Sequence, residues 1–233
     1  ILAGESETAA LYLGTRDPRG ELVWQEKEEG NPYIAPYFVG DRLVEVRKMP
    51  SNLTVRYRST GKLIGQLTLP DLSLFDENPL IPTGARAMPV AHDASRLAIT
   101  DGWYYLMVDV EKLRVLWKRL VDQNDSTRQP PMRMAMDGDY LAVVKQDYDS
   151  KVIYMLSSVT GEVLWRTDPK VPGSPQPVDS MVISGEKLYG IRLHPGQAFY
   201  FAGMNCKTGA DLFPLNEQKA LAAHFAIPST SER

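Results

Sequence analysis

Gly161-Glu-Val-Leu-Trp165 is a short apolar run that opens on glycine, closes on tryptophan and follows the polar stretch Ser157-Ser-Val-Thr160. Four other stretches repeat it: Gly20-Glu-Leu-Val-Trp24, Gly61-Lys-Leu-Ile-Gly65, Leu113-Arg-Val-Leu-Trp117 and Gly209-Ala-Asp-Leu-Phe213. The first residues of neighbouring copies lie 41, 52, 48 and 48 apart. Between the copies, turn residues alternate with runs rich in β-branched and aromatic side chains, the composition of half-buried pleated surfaces. A repeat of this length built from short strands marks an all-β chain folded as a β-propeller, each repeat being one four-stranded antiparallel blade.

The fourth repeat reads most plainly. Met132 to Met136 is a strand, Asp137-Gly138-Asp139 a tight turn, Tyr140 to Lys145 a second strand and Lys151 to Leu156 a third. Thr160-Gly161 then turns the chain into Glu162 to Arg166. The second repeat offers Tyr37 to Val39, Leu43 to Val46, Leu53 to Arg58 and Leu63 to Leu67; the third, Pro89 to Ala91, Arg96 to Thr100, Trp103 to Val108 and Arg114 to Trp117. The fifth offers Met181 to Ser184, Leu188 to Arg192, Ala198 to Ala202 and Asp211 to Phe213. The first repeat has Ile1 to Ala3, Ala10 to Gly14 and Glu21 to Trp24 but no innermost strand, and Phe225-Ala-Ile227 near the C-terminus supplies a candidate. One propeller domain of about five blades is expected, with blades near 224–233 plus 1–27, 34–70, 88–121, 130–169 and 177–218. Either the termini overlap in one blade and so remove an open edge, or both ends belong to a longer propeller. Asn216 is placed to cap a short helix from Glu217 to Ala223.

Bulk properties narrow the function classes. The 233 residues are 43% hydrophobic and carry a net charge of −3, which leaves no basic field for nucleic acid. The longest unbroken apolar or aromatic run, Trp103 to Val108, is far short of the ~20 residues a spanning helix needs. Cys206 stands alone, so an internal disulfide and a Cys-rich metal site are excluded. The chain opens on Ile1, as a processed chain or a piece of a longer one would, which leaves room for an upstream leader or domain. An extracytoplasmic place, periplasmic or secreted, is expected.

A Thr-Gly turn before a strand that ends in Trp resembles the repeat of the pyrroloquinoline-quinone (PQQ) dehydrogenases and their cofactor-free relatives. Ser157 to Trp165 is the best copy, and Ser59-Thr-Gly-Lys-Leu-Ile64 and Lys207-Thr-Gly209 echo it. Trp-Asp, Gly-His and Gly-Gly dipeptides are all missing, against WD40 and kelch repeats. In the quinoprotein family the blade tryptophans dock against neighbouring blades. The resemblance therefore implies that Trp24, Trp117 and Trp165 are structural anchors, with Gly65 and Phe213 as departures. It implies a quinoprotein-like fold and does not imply the quinone. The enzymes of the family use more blades, usually eight, and a calcium ion bridged to PQQ by acidic and Asn ligands. None of those ligand motifs can be placed here, so neither PQQ, calcium nor another cofactor is expected.

Catalytic signatures are scarce. His92, His194 and His224 sit in unrelated contexts, without paired zinc-ligand spacing. No Gly-x-Ser-x-Gly elbow, phosphate loop or dinucleotide fingerprint occurs. Propeller glycosidases resemble one another in placing paired carboxylates on the innermost strands, and the five stretches expected there carry no Asp or Glu. Met132, Met134 and Met136 alternate along one face, with Met88 and Met181 in comparable places; they read as space-filling thioethers or as a copper(I) site. Asn52-Leu-Thr54 and Asn124-Asp-Ser126 match glycosylation acceptors, relevant only in a eukaryotic secretory context.

Loops are the remaining candidates. Links between blades and between second and third strands project from one propeller face and commonly bind ligands. Here they hold Arg47, Trp103, Asp147, Tyr148, Asp149 and His194, aromatic and charged groups suited to a protein, a carbohydrate or a calcium ion. The reading that follows is a non-catalytic binding or scaffold module. The alternatives are a divergent quinoprotein enzyme or propeller glycoside hydrolase, and the sensor domain of a larger membrane protein.

Overall fold

The computed structural model describes residues 11–28, 36–47, 52–70, 90–100, 104–121, 133–147, 150–167, 180–194 and 197–213. All regular structure among them is β. Blade one holds β1 (Leu11–Arg16) and β2 (Leu22–Glu28). Blade two holds β3 (Tyr37–Val39), β4 (Arg42–Arg47), β5 (Asn52–Tyr57) and β6 (Leu63–Thr68). Blade three holds β7 (Ala91–His92), β8 (Arg96–Thr100), β9 (Tyr104–Asp109) and β10 (Arg114–Leu120). Blade four holds β11 (Arg133–Asp137), β12 (Tyr140–Asp147), β13 (Ser150–Ser157) and β14 (Val163–Arg166). Blade five holds β15 (Ser180–Ser184), β16 (Lys187–His194) and β17 (Gln197–Asn205). In each sheet the strands neighbour one another in chain order, a meander. Two compact units emerge, residues 1–88 with 92–118 and residues 89–91 with 119–233.

The repeated motif marks a backbone requirement. Its first residue has positive φ in every copy: 84° at Gly20, 70° at Gly61, 50° at Leu113, 74° at Gly161 and 72° at Gly209. This left-handed residue closes the turn between third and fourth strands. The N–H groups of Gly61, Gly161 and Gly209 donate to the carbonyls of Tyr57, Ser157 and Asn205, each at 2.8 Å. Glycine meets that demand without strain. Three residues before the left-handed position, a backbone N–H ties the turn back to the first-to-second-strand turn of the same blade. The pairs are Arg58 to Asp41 at 2.9 Å, Val110 to Ser95 at 2.8 Å, Ser158 to Asp139 at 2.9 Å and Cys206 to Glu186 at 2.8 Å.

In the first and fourth copies the last motif residue faces the next blade. Trp24 Nε1 donates to the Arg58 carbonyl at 2.8 Å, and a Cβ on Gly61 would stand only 2.5 Å from Trp24 Cδ2. Trp165 repeats the contact in the second unit: its Nε1 donates to the Cys206 carbonyl at 2.6 Å, and a Gly209 Cβ would stand 2.9 Å from its Cδ2. Each indole thus covers a bare glycine and satisfies a turn carbonyl. Trp165 also packs on a core of Ala142, Val144, Ile153, Met155, Ile183, Leu188, Ala202 and Met204, drawn from blades four and five. Between blades two and three the lock is turned round. Gly65 stands in the Trp position, Leu113 in the glycine position, and a Gly65 Cβ would stand 2.4 Å from Leu113 Cδ1.

Several boundaries differ from the sequence expectation. Blade five has three paired strands, and the stretch from Asp211 to Phe213 is reduced to one bridge, Met204 with Asp211. Pro214, which has no N–H to give a ladder, follows at once. Among the described residues blade one has two strands. Ile1 to Ala3, Pro89, Met132, the helix of Glu217 to Ala223 and the closing strand of Phe225 to Ile227 lie outside the described residues. β11 runs one residue further than expected and ends on Asp137, so a first strand does carry an acid. Its pairing with Tyr140 brings Asp137 into the ladder, and its Oδ2 accepts the Gly185 N–H at 2.9 Å.

Candidate functional site

Each blade has two ends of different character. One carries the turns from first to second strand and from third to fourth; the other carries the hairpin between second and third strands. At the turn end one polar side chain in each of blades three, four and five is absorbed by the backbone. Asp109 Oδ1 accepts the N–H groups of Glu111 and Lys112 at 3.1 and 2.9 Å. Ser157 Oγ accepts those of Val159 and Thr160 at 3.3 and 3.2 Å. Asn205 Oδ1 accepts those of Lys207 and Thr208 at 2.9 and 3.0 Å. All three stand four residues before a left-handed residue, a place where Asp, Asn and Ser serve as turn formers.

Blade three uses a further carboxylate in the turn where blades two, four and five place Gly40, Gly138 and Gly185 at positive φ. Asp93 Oδ1 accepts the Ser95 and Arg96 N–H groups at 2.9 and 2.7 Å, and Oδ2 pairs with Arg96 Nη2 at 2.6 Å. Burial alone would raise the Asp93 carboxyl. The Ser95 amide and the side chain, amide and charge of Arg96 outweigh it and hold the group below its ordinary value.

The hairpin end carries the residues expected to contact a ligand. Arg47, Asp147 and His194 are the last residues of β4, β12 and β16, and they pair with Asn52, Ser150 and Gln197. Asp147 and His194 thus hold the same hairpin position in blades four and five, before two-residue connections at 148–149 and 195–196. Arg47 precedes a longer connection, 48–51, in blade two. Trp103, Tyr148 and Asp149 lie outside the described residues; Thr100 and Tyr105, paired at the hairpin of blade three, bracket the first of them.

One polar group was missed by sequence reasoning. Glu45 and Arg56 form a buried ion pair on one face of blade two, Nε to Oε1 3.1 Å, and Arg56 Nη1 donates to the Gly61 carbonyl at 3.1 Å. Its signal is the polar alternation Glu45, Arg47 and Asn52, Thr54, Arg56 inside otherwise apolar strands, which the register brings to one face. Arg56 thereby braces the turn that Trp24 covers, a structural use.

Sulfur side chains among the described residues take part in packing. Met181 packs on the core of blades four and five, and Met136 is buried. Met88 and Met132 lie outside the described residues. Burial pushes the Cys206 thiol up to about 12, with the Glu186 and Asp137 carboxylates adding to the shift, so it stays protonated and unreactive at neutral pH. Among the described residues, no three of the His, Cys, Asp and Glu side chains gather closely enough to hold a metal ion.

Neither a protein-family model nor a curated sequence matches the chain. Solved structures do. BamB from Moraxella catarrhalis superposes with a TM-score of 0.52 at 16% identity, over 83% of this chain and 56% of that one. The fold is a β-propeller of the quinoprotein type. A quinohemoprotein alcohol dehydrogenase from Comamonas testosteroni superposes with a TM-score of 0.51 at 12% identity, over 77% of this chain and 34% of that one. The chain therefore spans about half of one neighbour and a third of the other. No helix among the described residues is long and apolar enough to cross a membrane.

Proposed function

We propose that this propeller is a non-catalytic module that binds a protein through the hairpin end of its blades, outside the cytoplasm. The observation that carries the reading is the use made of Asp137. It is the only acid on the described innermost strands β3, β7, β11 and β15, and its carboxylate is occupied by the Gly185 amide that joins blades four and five. A carboxylate that joins two blades in this way is a structural use of the acid, which supports a module whose innermost strands serve packing. At the turn end Asp109, Ser157 and Asn205 are spent on their own backbone. The hairpin end, where β4, β12 and β16 close on Arg47, Asp147 and His194, brings charged residue types to strand termini, which supports a partner surface there. The extracytoplasmic place follows the resemblance of the repeats to quinoproteins.

Photo-crosslinking in the native cell tests the reading. A photoreactive residue at Trp103 or Tyr148 should give a protease-sensitive adduct, and one at Val159, on the turn end, should not. Adducts from Val159 alone would overturn it. Calcium with PQQ should leave the melting temperature unchanged, because a ligand of the folded state raises it. A saturable rise would instead favour the quinoprotein enzyme.

A further inference from the structure

Blades differ in how their outermost strands guard an open sheet edge. Such an edge presents unpaired N–H and C=O groups that take up any extended chain unless charge, proline, shortness or a bulge prevents it. β10 carries Arg114, Lys118 and Arg119. β14 is 4 residues long and ends on Arg166, and β2 ends in Glu26-Lys-Glu28. β6, Leu63-Ile-Gly-Gln-Leu-Thr68, is 6 residues long and has neither charge nor proline. It pairs with β5 on one side and, among the described residues, with no strand on the other. The register shift lies at Arg56, opposite its first residue, and leaves Gly65 to Thr68 regularly paired. Leu63 is 47% exposed, and Gln66 and Thr68 are exposed as well. Charge lies beside one end of this edge, where Lys62 is exposed; the Arg58 guanidinium is turned the other way, 4.4 Å over the Phe38 ring of β3.

We propose that an extended segment of a partner protein adds to the outer edge of β6 as one more strand of blade two. The segment is uncharged where it runs beside Ile64 to Thr68 and acidic at the end that meets Lys62. The proposal rests on the reading of this propeller as a protein-binding module and names a kind of partner for it. Main-chain hydrogen bonds supply the attraction, as in strand addition generally. A charge on the segment beside the apolar stretch would lose its hydration without a counter-ion, whereas a carboxylate at the basic end gains Lys62.

The probes are two labelled, capped peptides, Glu-Val-Thr-Val-Thr-Val-Thr and its reverse, titrated against the whole chain by fluorescence anisotropy. One of them should bind saturably and slow amide exchange at alternate residues of β6. Replacing its Glu with Lys should weaken binding by about threefold, and the protein variant Leu63→Lys/Gln66→Lys by about tenfold. Thr68→Lys alone, at an exposed position, should weaken it by about threefold, while Val159→Lys should leave it unchanged. No saturation by about 1 mM peptide would overturn the proposal. So would protection of β6 that tracks dimer formation, since the occupant would then be a second copy. Peptide binding reads β6 and crosslinking reads Trp103 and Tyr148, so either reading can fail alone.

Discussion

The seam between blades one and two and the seam between blades two and three solve the same problem with opposite residues. In the first, bulk comes from the earlier blade and bareness from the later one: Trp24 covers Gly61. In the second, the earlier blade is bare at Gly65 and the later one fills the gap with Leu113. What the fold needs at a seam is one large and one absent side chain, and the order is negotiable. The exchange has a cost. Leu113 is held at φ 50°, and a left-handed conformation strains a side-chain-bearing residue by about 1–2 kcal/mol. The first seam also gains a hydrogen bond, Trp24 Nε1 to Arg58, that Gly65 has no side chain to offer.

The largest expected effect comes from forcing the second seam to imitate the first. Gly65→Trp alone should destabilise the chain by about 3 kcal/mol, because its Cβ would already overlap Leu113. Leu113→Gly alone should change stability by no more than about 1 kcal/mol, relief of φ strain offsetting lost packing. Together the two should recover about 2 kcal/mol or more of the sum of the single losses, as residues sharing one space do. Urea titration of the four proteins measures the coupling. Strictly additive losses would show that the two positions do not share the gap.

A smaller effect separates conformational strain from coverage. Gly138 has φ 51° and open space where a Cβ would stand, whereas Gly61 has φ 70° and Trp24 above it. Gly138→Ala should cost about 1 kcal/mol, the penalty of the left-handed backbone alone. Gly61→Ala should cost about 2–3 kcal/mol, since the indole must also move. Equal losses in denaturant titrations would mean that Trp24 yields freely and that the first seam is looser than its hydrogen bond suggests.

The propeller was legible because its repeats state a backbone demand in residue types: glycine where φ is positive, tryptophan where a glycine needs cover. Ser157 to Trp165 carries the whole message. Leu113 shows why the third copy was still readable, since its neighbours Val115 to Trp117 keep the apolar strand pattern even where the glycine is lost. The fourth strand of blade five was over-read, because an Asp-Leu-Phe run looks like strand while Pro214 curtails the ladder. Asp137 was taken for a turn residue, as most Asp before Gly are; one more rung of pairing makes it a strand end and a blade-to-blade contact. The hairpin candidates were legible as positions but not as a constellation, because they fall in separate blades and no local spacing links one blade's hairpin to the next.

The smallest effect concerns blade three, which lacks glycine in both of its turns. There a side chain does what backbone freedom does elsewhere: Asp93 holds the turn through two backbone amides and Arg96. Its carboxyl lies below the ordinary value of 3.8 in the folded chain. A depressed carboxyl stabilises the fold fully above that ordinary value and loses its contribution as pH falls from there through the lower folded value. Asp93→Asn keeps an acceptor for the Ser95 and Arg96 amides but removes the charge beside the guanidinium, so at pH 7 it should cost no more than about 1 kcal/mol, the scale of a solvent-screened pair. That gap should close on acidification below 3.8, because the wild-type carboxyl is then neutral too. Denaturant titrations of both proteins at neutral and acid pH decide it. A gap that stays constant with pH would mean that Asp93 is held by geometry and not by its charge.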